Sequence, residues 1–144
     1  MIAHYGQSTA EADSIVAELR AAGGLADAVG ADLALAEGPH TLAAAVRELV
    51  ERLGVVVANA GVSNAAKVED TTVANFDRLF AVNVRSPFFL VQQLLPALSE
   101  GASVIFVTSV VARAVVGNLT AYAATKGHST RWCCTSLPRW VRVA

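Results

Sequence analysis

The sequence predicts an α/β domain whose helices flank a doubly wound parallel sheet. Two apolar runs, residues 54–61 and 103–109, are continuous rather than alternating, which is typical of strands buried on both faces of a parallel sheet. Strand-like runs also alternate with longer segments of helical periodicity. This βαβα order predicts right-handed crossovers. The 144 residues fit one domain or part of one.

The first quarter of the chain predicts a strand, a helix and a second strand. Residues 2–5 and 25–29 form the two strand-like runs. The helix between them is expected to start at Ser8 and Glu11, which have capping-box spacing, and to stop at residues 23–24, both glycine. Its apolar face consists of Ile15, Val16 and Leu19.

A second helix is predicted over residues 39–53. Pro39 lies near its start, where a proline is tolerated. The buried stripe consists of Leu42, Val46, Leu49, Val50 and Leu53.

A third helical pattern runs from Thr72 to about Leu98 and contains Pro87. The proline removes one backbone hydrogen bond, so we expect a kink or a break near residues 83–86. Backbone groups freed beside Asn83 can then hold a water molecule.

Three polar residues follow predicted strands. Asp32 comes after the second strand, Asn59 after the third and Ser109 after the fourth. Ligands of open α/β sheets bind beyond the carboxyl ends of the strands, so we expect these residues at the binding edge. The small residues ANAG at 58–61 predict a tight turn that a cofactor can approach closely.

Tyr122 and Lys126 have i, i+4 spacing, which projects both side chains from one helix face. An ammonium group beside a phenol stabilises the phenolate. A tyrosine in that setting can act as general acid to a carbonyl or as general base to an alcohol. The spacing alone also fits a surface pair. Ser109 and Asn83 in the same chain favour the catalytic interpretation.

With these residues together, the sequence resembles the short-chain dehydrogenase/reductase family from about Ile2 to Gly127. Its family motifs occur in the expected order and spacing: DL at 32–33, ANAG at 58–61, NVRSPFF at 83–89, FVTS at 106–109 and YAATK at 122–126. Ala58 stands where the family usually has asparagine. The resemblance implies a Rossmann-type sheet that binds NAD(H) or NADP(H).

The resemblance also implies a role for each catalytic position. Tyr122 is the acid–base residue, and Lys126 assists its ionisation and contacts the nicotinamide ribose. Ser109 orients the substrate oxygen, and Asn83 holds a proton-relay water. The implied reaction interconverts a small carbonyl compound and a secondary alcohol by hydride transfer.

The cofactor-binding residues implied by the resemblance include Tyr122 and Lys126 again. Asp32 contacts the adenine ring, while Asn59, Ala60 and Gly61 line the cofactor. NAD-preferring members usually carry an acidic residue where this chain reads HYGQS, at 4–8. NADP is therefore favoured over NAD.

Two features depart from the family pattern. The family's first strand and its glycine-rich phosphate turn are expected before Ile2, and the chain has neither there. The strands near Ile2 and Val55 then either pair directly or leave unpaired edges. We therefore expect an incomplete Rossmann-type sheet, truncated at both ends and lacking the family's first and last strands.

The second departure is the tail, which divides the chain into a partial dinucleotide-binding domain, 1–127, and an aberrant segment, 128–144. The tail has no helical stripe, and Pro138 would interrupt one. A frameshift, caused by one lost base near Gly127, is a hypothesis that explains this tail. The nucleotide sequence of the gene tests the hypothesis. Adjacent cysteines rarely form a structural disulfide, so Cys133 and Cys134 are expected to be two free thiols.

Composition limits the remaining function classes. The net charge of −1 and the absence of a basic stripe argue against nucleic-acid and membrane-surface binding. No run reaches the ~18 apolar residues of a membrane span, and the N-terminus does not resemble a signal peptide, so a cytoplasmic location is expected. The three histidines, at positions 4, 40 and 128, share no metal-ligand spacing.

Two functions stay open at this point. One is the oxidoreductase, for which the family implies a homo-oligomer at full length. The alternative is a catalytically inactive truncated remnant that serves as an interaction module.

Overall fold

The computed structural model describes residues 1–114, 116–135 and 141–143, with side chains described up to Arg131. Its helices are α1 Thr9–Ala21, α2 Gly38–Leu49, α3 Val73–Phe80, α4 Ser86–Leu94 and α5 Thr120–Thr135. Its strands are β1 Ile2–Tyr5, β2 Asp27–Gly30, β3 Leu53–Ala58, β4 Leu98–Phe106 and β5 Val141–Val143. The predictions for Cys133 and Cys134 fall outside the described side chains.

The described strands form two parallel sheets, which confirms the α/β class. One sheet pairs β1 with β2, and the other has the order β3-β4-β5. Of the two outcomes expected for β1 and β3, the structure shows unpaired edges. A cavity of about 530 Å³ lies between them, lined by Ile2 and His4 on one side and by Val55 and Val57 on the other.

This cavity explains one wrong prediction. Burial of β3 on both faces was expected, but Val55 is 57% exposed and Val57 is 55% exposed. No described strand pairs with β3 on the side facing β1. In contrast, Val104 and Phe106 of β4 are buried as predicted. β4 begins at Leu98 and ends at Phe106, earlier than the predicted run of 103–109.

Helix α1 starts and stops at the predicted positions, with Ser8 as its N-cap residue. Gly23 has a φ of +83°, the left-handed conformation that closes many helices and favours glycine. The Ser8 side chain makes no cap hydrogen bond, so the capping box is wrong. Val16 is buried and Leu19 half-buried as predicted, whereas Ile15 is 48% exposed. Ala12 joins Val16 on the buried face of α1, and the helix packs against β1 and β2.

Helix α2 buries Leu42 and Val46 as predicted, within the main apolar cluster. The helix ends at Leu49 rather than at residue 53, because Val50 has extended backbone angles. Leu53 therefore belongs to β3, and it still packs against the same cluster.

Helix α5 continues beyond Gly127 to Thr135, although the sequence there carries no helical stripe. Ser129 is buried within this extension. None of the described helices is both long enough and apolar enough to cross a membrane.

Candidate active site

The loops that follow β2, β3 and β4 lie at the carboxyl edge of the parallel strands. Asp32, Asn59 and Ser109 each come shortly after one of these strands, as predicted. Asn59, Ala60 and Gly61 are exposed and belong to no helix or strand. Their backbone is therefore open to close approach by a ligand.

The break predicted from Pro87 is a turn of π-helix at Ala81–Arg85, between α3 and α4. The N–H of Ser86 donates to the carbonyl of Ala81, the wider spacing that defines a π-turn. Such turns are frequent at functional sites. Asn83 lies inside this turn and is 3% exposed.

The Asn83 carboxamide is held by three hydrogen bonds. Its Oδ1 accepts from the N–H of Val62 at 2.9 Å, and its Nδ2 donates to the Val62 carbonyl at 2.8 Å. Nδ2 also donates to Oγ1 of Thr125 at 3.0 Å. The sequence interpretation assigned Asn83 a role through its backbone, and the side-chain interactions were missed. The water at Asn83 stays a prediction.

Lys126 extends from α5 toward the ends of β3 and β4. Its ammonium group donates to the Val107 carbonyl at 2.9 Å and lies 5.9 Å from the centre of the Tyr122 ring. The side chain is 7% exposed, and this burial lowers the pKa of Lys126 below its ordinary value of 10.5.

Gly61 leaves the space in which Asn83 and Lys126 meet. A Cβ atom at Gly61 would lie 3.2 Å from Oδ1 of Asn83 and 3.4 Å from Nζ of Lys126. The structure therefore brings together three of the predicted site residues, which come from the loop after β3, the π-turn and α5.

Tyr122 and Ser109 are both half-buried. The Ser109 hydroxyl accepts from the N–H of Val111 at 3.4 Å, at the start of a short 3₁₀ helix, Val110–Ala112. This short helix packs against α5, the helix that carries Tyr122. Their joint action on a substrate oxygen stays a prediction.

Asp32 is exposed and shapes its own loop. Its Oδ1 accepts from the N–H of Ala34 at 2.9 Å, an Asx turn of the kind that aspartate favours. Nη2 of Arg85 donates to the Ala34 carbonyl, which ties the π-turn to this loop. The sequence interpretation missed Arg85. The contact of Asp32 with adenine stays a prediction.

Because Lys126 is buried, the stability of the chain is expected to depend on pH, and Lys126→Met is expected to remove this dependence. Its folded pKa lies below 10.5, so between the two values the unfolded chain binds more protons, and the free energy of unfolding rises with pH. Lys126→Met is expected to flatten this rise in urea titrations up to pH 10.5. The control Lys67→Met, at an exposed lysine, keeps it. Equal slopes in the two variants would contradict the prediction.

Comparison with known proteins gives consistent matches. The family model for short chain dehydrogenases matches residues 1–134. The chain is 36% identical over 127 residues to an uncharacterized oxidoreductase of Methylorubrum extorquens, an alignment that covers 88% of this chain and 51% of that protein.

Two solved structures superpose on nearly the whole chain. The promiscuous reductase LugOII, which catalyses keto-reduction at C1 during lugdunomycin biosynthesis, matches with a TM-score of 0.90 and 31% identity over 99% of this chain and 63% of its own. A short chain dehydrogenase of Burkholderia cenocepacia in complex with NADP matches with a TM-score of 0.90 and 29% identity over 99% and 60%. The chain spans about half the length of the curated relatives it matches.

Proposed function

The chain belongs to the short-chain dehydrogenase family, and on that premise we propose that it carries the catalytic residues of an NAD(P)-dependent oxidoreductase. The proposed reaction interconverts a small-molecule ketone and a secondary alcohol. One observation carries the proposal: Asn83 and Lys126, which are far apart in sequence, meet at Gly61 on the carboxyl edge of the sheet.

The residues at this edge fit a nicotinamide cofactor. A side chain at Gly61 would fill the space beside Asn83 and Lys126, so glycine keeps room for a flat ring or a ribose. Lys126 is a donor for ribose hydroxyls, and Asn59, Ala60 and Gly61 form the exposed wall. Asp32 follows β2, in the sheet formed by β1 and β2, and we propose that it contacts the adenine. When bound, the cofactor supplies the hydride.

The side chains of the chain itself handle the proton. In the direction of reduction, the Ser109 hydroxyl donates a hydrogen bond to the substrate oxygen. The Tyr122 hydroxyl then donates its proton to that oxygen as negative charge develops there. Lys126 stabilises the resulting phenolate through its positive charge, and Asn83 is proposed to hold the water that returns the proton.

We propose NADP as the preferred form of the cofactor. The segment at positions 4–8 contains no carboxylate to bind the ribose hydroxyls or to repel a 2′-phosphate. The relative from Burkholderia cenocepacia binds NADP, which supports the same choice.

The proposal predicts saturable binding of NADPH to the full chain, tighter than that of NADH, in a fluorescence titration. Gly61→Ala is expected to weaken binding about tenfold, because the new methyl displaces Asn83 or Lys126. The matched control is Gly54→Ala, where a Cβ meets nothing within 4 Å. Binding that is absent, or equal in both variants, would contradict the proposal.

A second candidate function is an interaction module without catalysis. The unpaired edges of β1 and β3, on either side of an apolar cavity, favour it, because open strand edges pair readily with other chains. Light scattering on the titration samples separates the two. Association that grows with concentration, without any NADPH binding, would favour the module over the enzyme.

A further inference from the structure

Thr125 is a buried hydroxyl in the middle of the candidate site. It lies on α5 directly before Lys126 and is 0% exposed. Its Oγ1 donates to the Tyr122 carbonyl at 2.7 Å and accepts from Nδ2 of Asn83 at 3.0 Å. None of the functional roles assigned above involves this residue.

The direction of these hydrogen bonds is fixed by simple counting. A hydroxyl has one hydrogen, and Thr125 gives it to a carbonyl, which can only accept. Its oxygen must therefore face Asn83 as an acceptor. Nδ2 of Asn83 has two hydrogens, one for Thr125 and one for the Val62 carbonyl.

The Asn83 carboxamide thus links three segments of the site. Through Val62 it is bonded to the loop after β3, through its own backbone to the π-turn, and through Thr125 to the helix of Tyr122 and Lys126. Thr125 is the direct side-chain link between Asn83 and α5. Removal of its hydroxyl leaves a buried N–H without a partner, which is costly.

We propose that Thr125 is a positioning residue, whose hydroxyl fixes the Asn83 carboxamide relative to Tyr122 and Lys126. This inference rests on the proposed function for its catalytic meaning. Serine keeps the acceptor and the donor, whereas valine keeps the shape of threonine and loses both. A threonine that only filled space would tolerate valine without any change at Asn83.

The test uses the ¹⁵N-labelled full chain and follows the side-chain amide of Asn83 by NMR, assigned by its loss in Asn83→Ser. In Thr125→Val, one Asn83 side-chain hydrogen is expected to shift and to exchange with water about tenfold faster. Thr125→Ser is expected to restore the original position and exchange rate. Ser129→Ala is the control: Ser129 is also buried on α5, and its hydroxyl donates to the backbone carbonyl of Thr125, so this substitution disturbs the same helical turn and leaves the Thr125 hydroxyl in place.

Each outcome decides the proposal. If Thr125→Val leaves both Asn83 hydrogens unchanged, or if Thr125→Ser behaves like the valine variant, the positioning role is overturned. If the valine variant does not fold, Thr125→Ala removes the same hydroxyl without adding a methyl group, and the same comparison applies.

The proposed function fails separately. If the unsubstituted chain does not bind NADPH while Asn83 still responds to Thr125→Val, the hydrogen-bond link exists and the oxidoreductase assignment is overturned. If the chain binds NADPH, Thr125→Val is expected to change the pH profile of single-turnover reduction, and Thr125→Ser to restore it.

Discussion

Tyr122→Phe is expected to lower the rate of ketone reduction by about 10²–10⁴-fold, the usual contribution of a general acid. The substitution removes one oxygen and keeps the ring that lies 5.9 Å from the ammonium of Lys126. Binding of NADPH is expected to weaken much less than the rate falls, because only the hydroxyl contact of Tyr122 is lost while Lys126 and the loop after β3 are unchanged. The loss therefore falls on the chemical step.

The measurement is single-turnover oxidation of NADPH at high protein concentration, with an activated aromatic diketone such as benzil as the probe. The control is Tyr5→Phe, since Tyr5 is the other of the two tyrosines in the sequence and lies in β1. A Tyr122→Phe chain that reduces the diketone as fast as the Tyr5→Phe chain would exclude Tyr122 as the acid. Slow reduction in every variant, with NADPH bound, would contradict the proposal that these residues are sufficient for the chemical step.

Local signals in the sequence were sufficient for much of the fold. Pro87 predicted a break, and the π-turn is found at Ala81–Arg85, because a proline inside a helical segment removes one backbone hydrogen bond to the preceding turn. Gly23 predicted the end of α1 because glycine readily adopts the positive φ that closes a helix. The wrong prediction for β3 concerns tertiary context: Val55 and Val57 are apolar enough for a buried strand, but their exposure depends on whether a neighbouring strand is present.

In the candidate site too, local sequence signals predicted some features, whereas others depend on tertiary contacts. Tyr122 and Lys126 were candidates because their i, i+4 spacing places both side chains on one helix face, and Ser109 and Asn83 in the same chain favoured catalysis over a surface pair. The hydrogen bond between Asn83 and Thr125 joins residues on different elements, and no spacing rule reports it. Nothing in the sequence marks Thr125 as different from its neighbours within the helix. Its complete burial is seen only in the three-dimensional structure. The division of the chain at Gly127 stays a prediction, since the nucleotide sequence is its test.

Gly38→Ala is expected to destabilise the chain by about 3 kcal/mol, the upper end of typical overpacking costs. Gly38 is buried at the first residue of α2. A Cβ there would lie 2.0 Å from the carbonyl oxygen of Asp32 and 2.8 Å from its carbonyl carbon. Because the obstructing atoms belong to the backbone, no change of rotamer relieves the overlap, and the loop after β2 must move.

Urea unfolding measures the loss, and Gly127→Ala provides the matched control. In α5, a Cβ at Gly127 meets nothing within 4 Å, so that substitution is expected to stabilise the chain by up to about 1 kcal/mol through helix propensity. If Gly38→Ala lowers the free energy of unfolding and Gly127→Ala raises it, the close approach of the Asp32 backbone to Gly38 is the cause of the destabilisation. Equal stability of the two variants would contradict it. Displacement of the Asp32 loop also moves the Ala34 carbonyl, which accepts a hydrogen bond from Arg85 of the π-turn. Gly38→Ala is therefore also expected to weaken NADPH binding, even under conditions in which the chain remains folded.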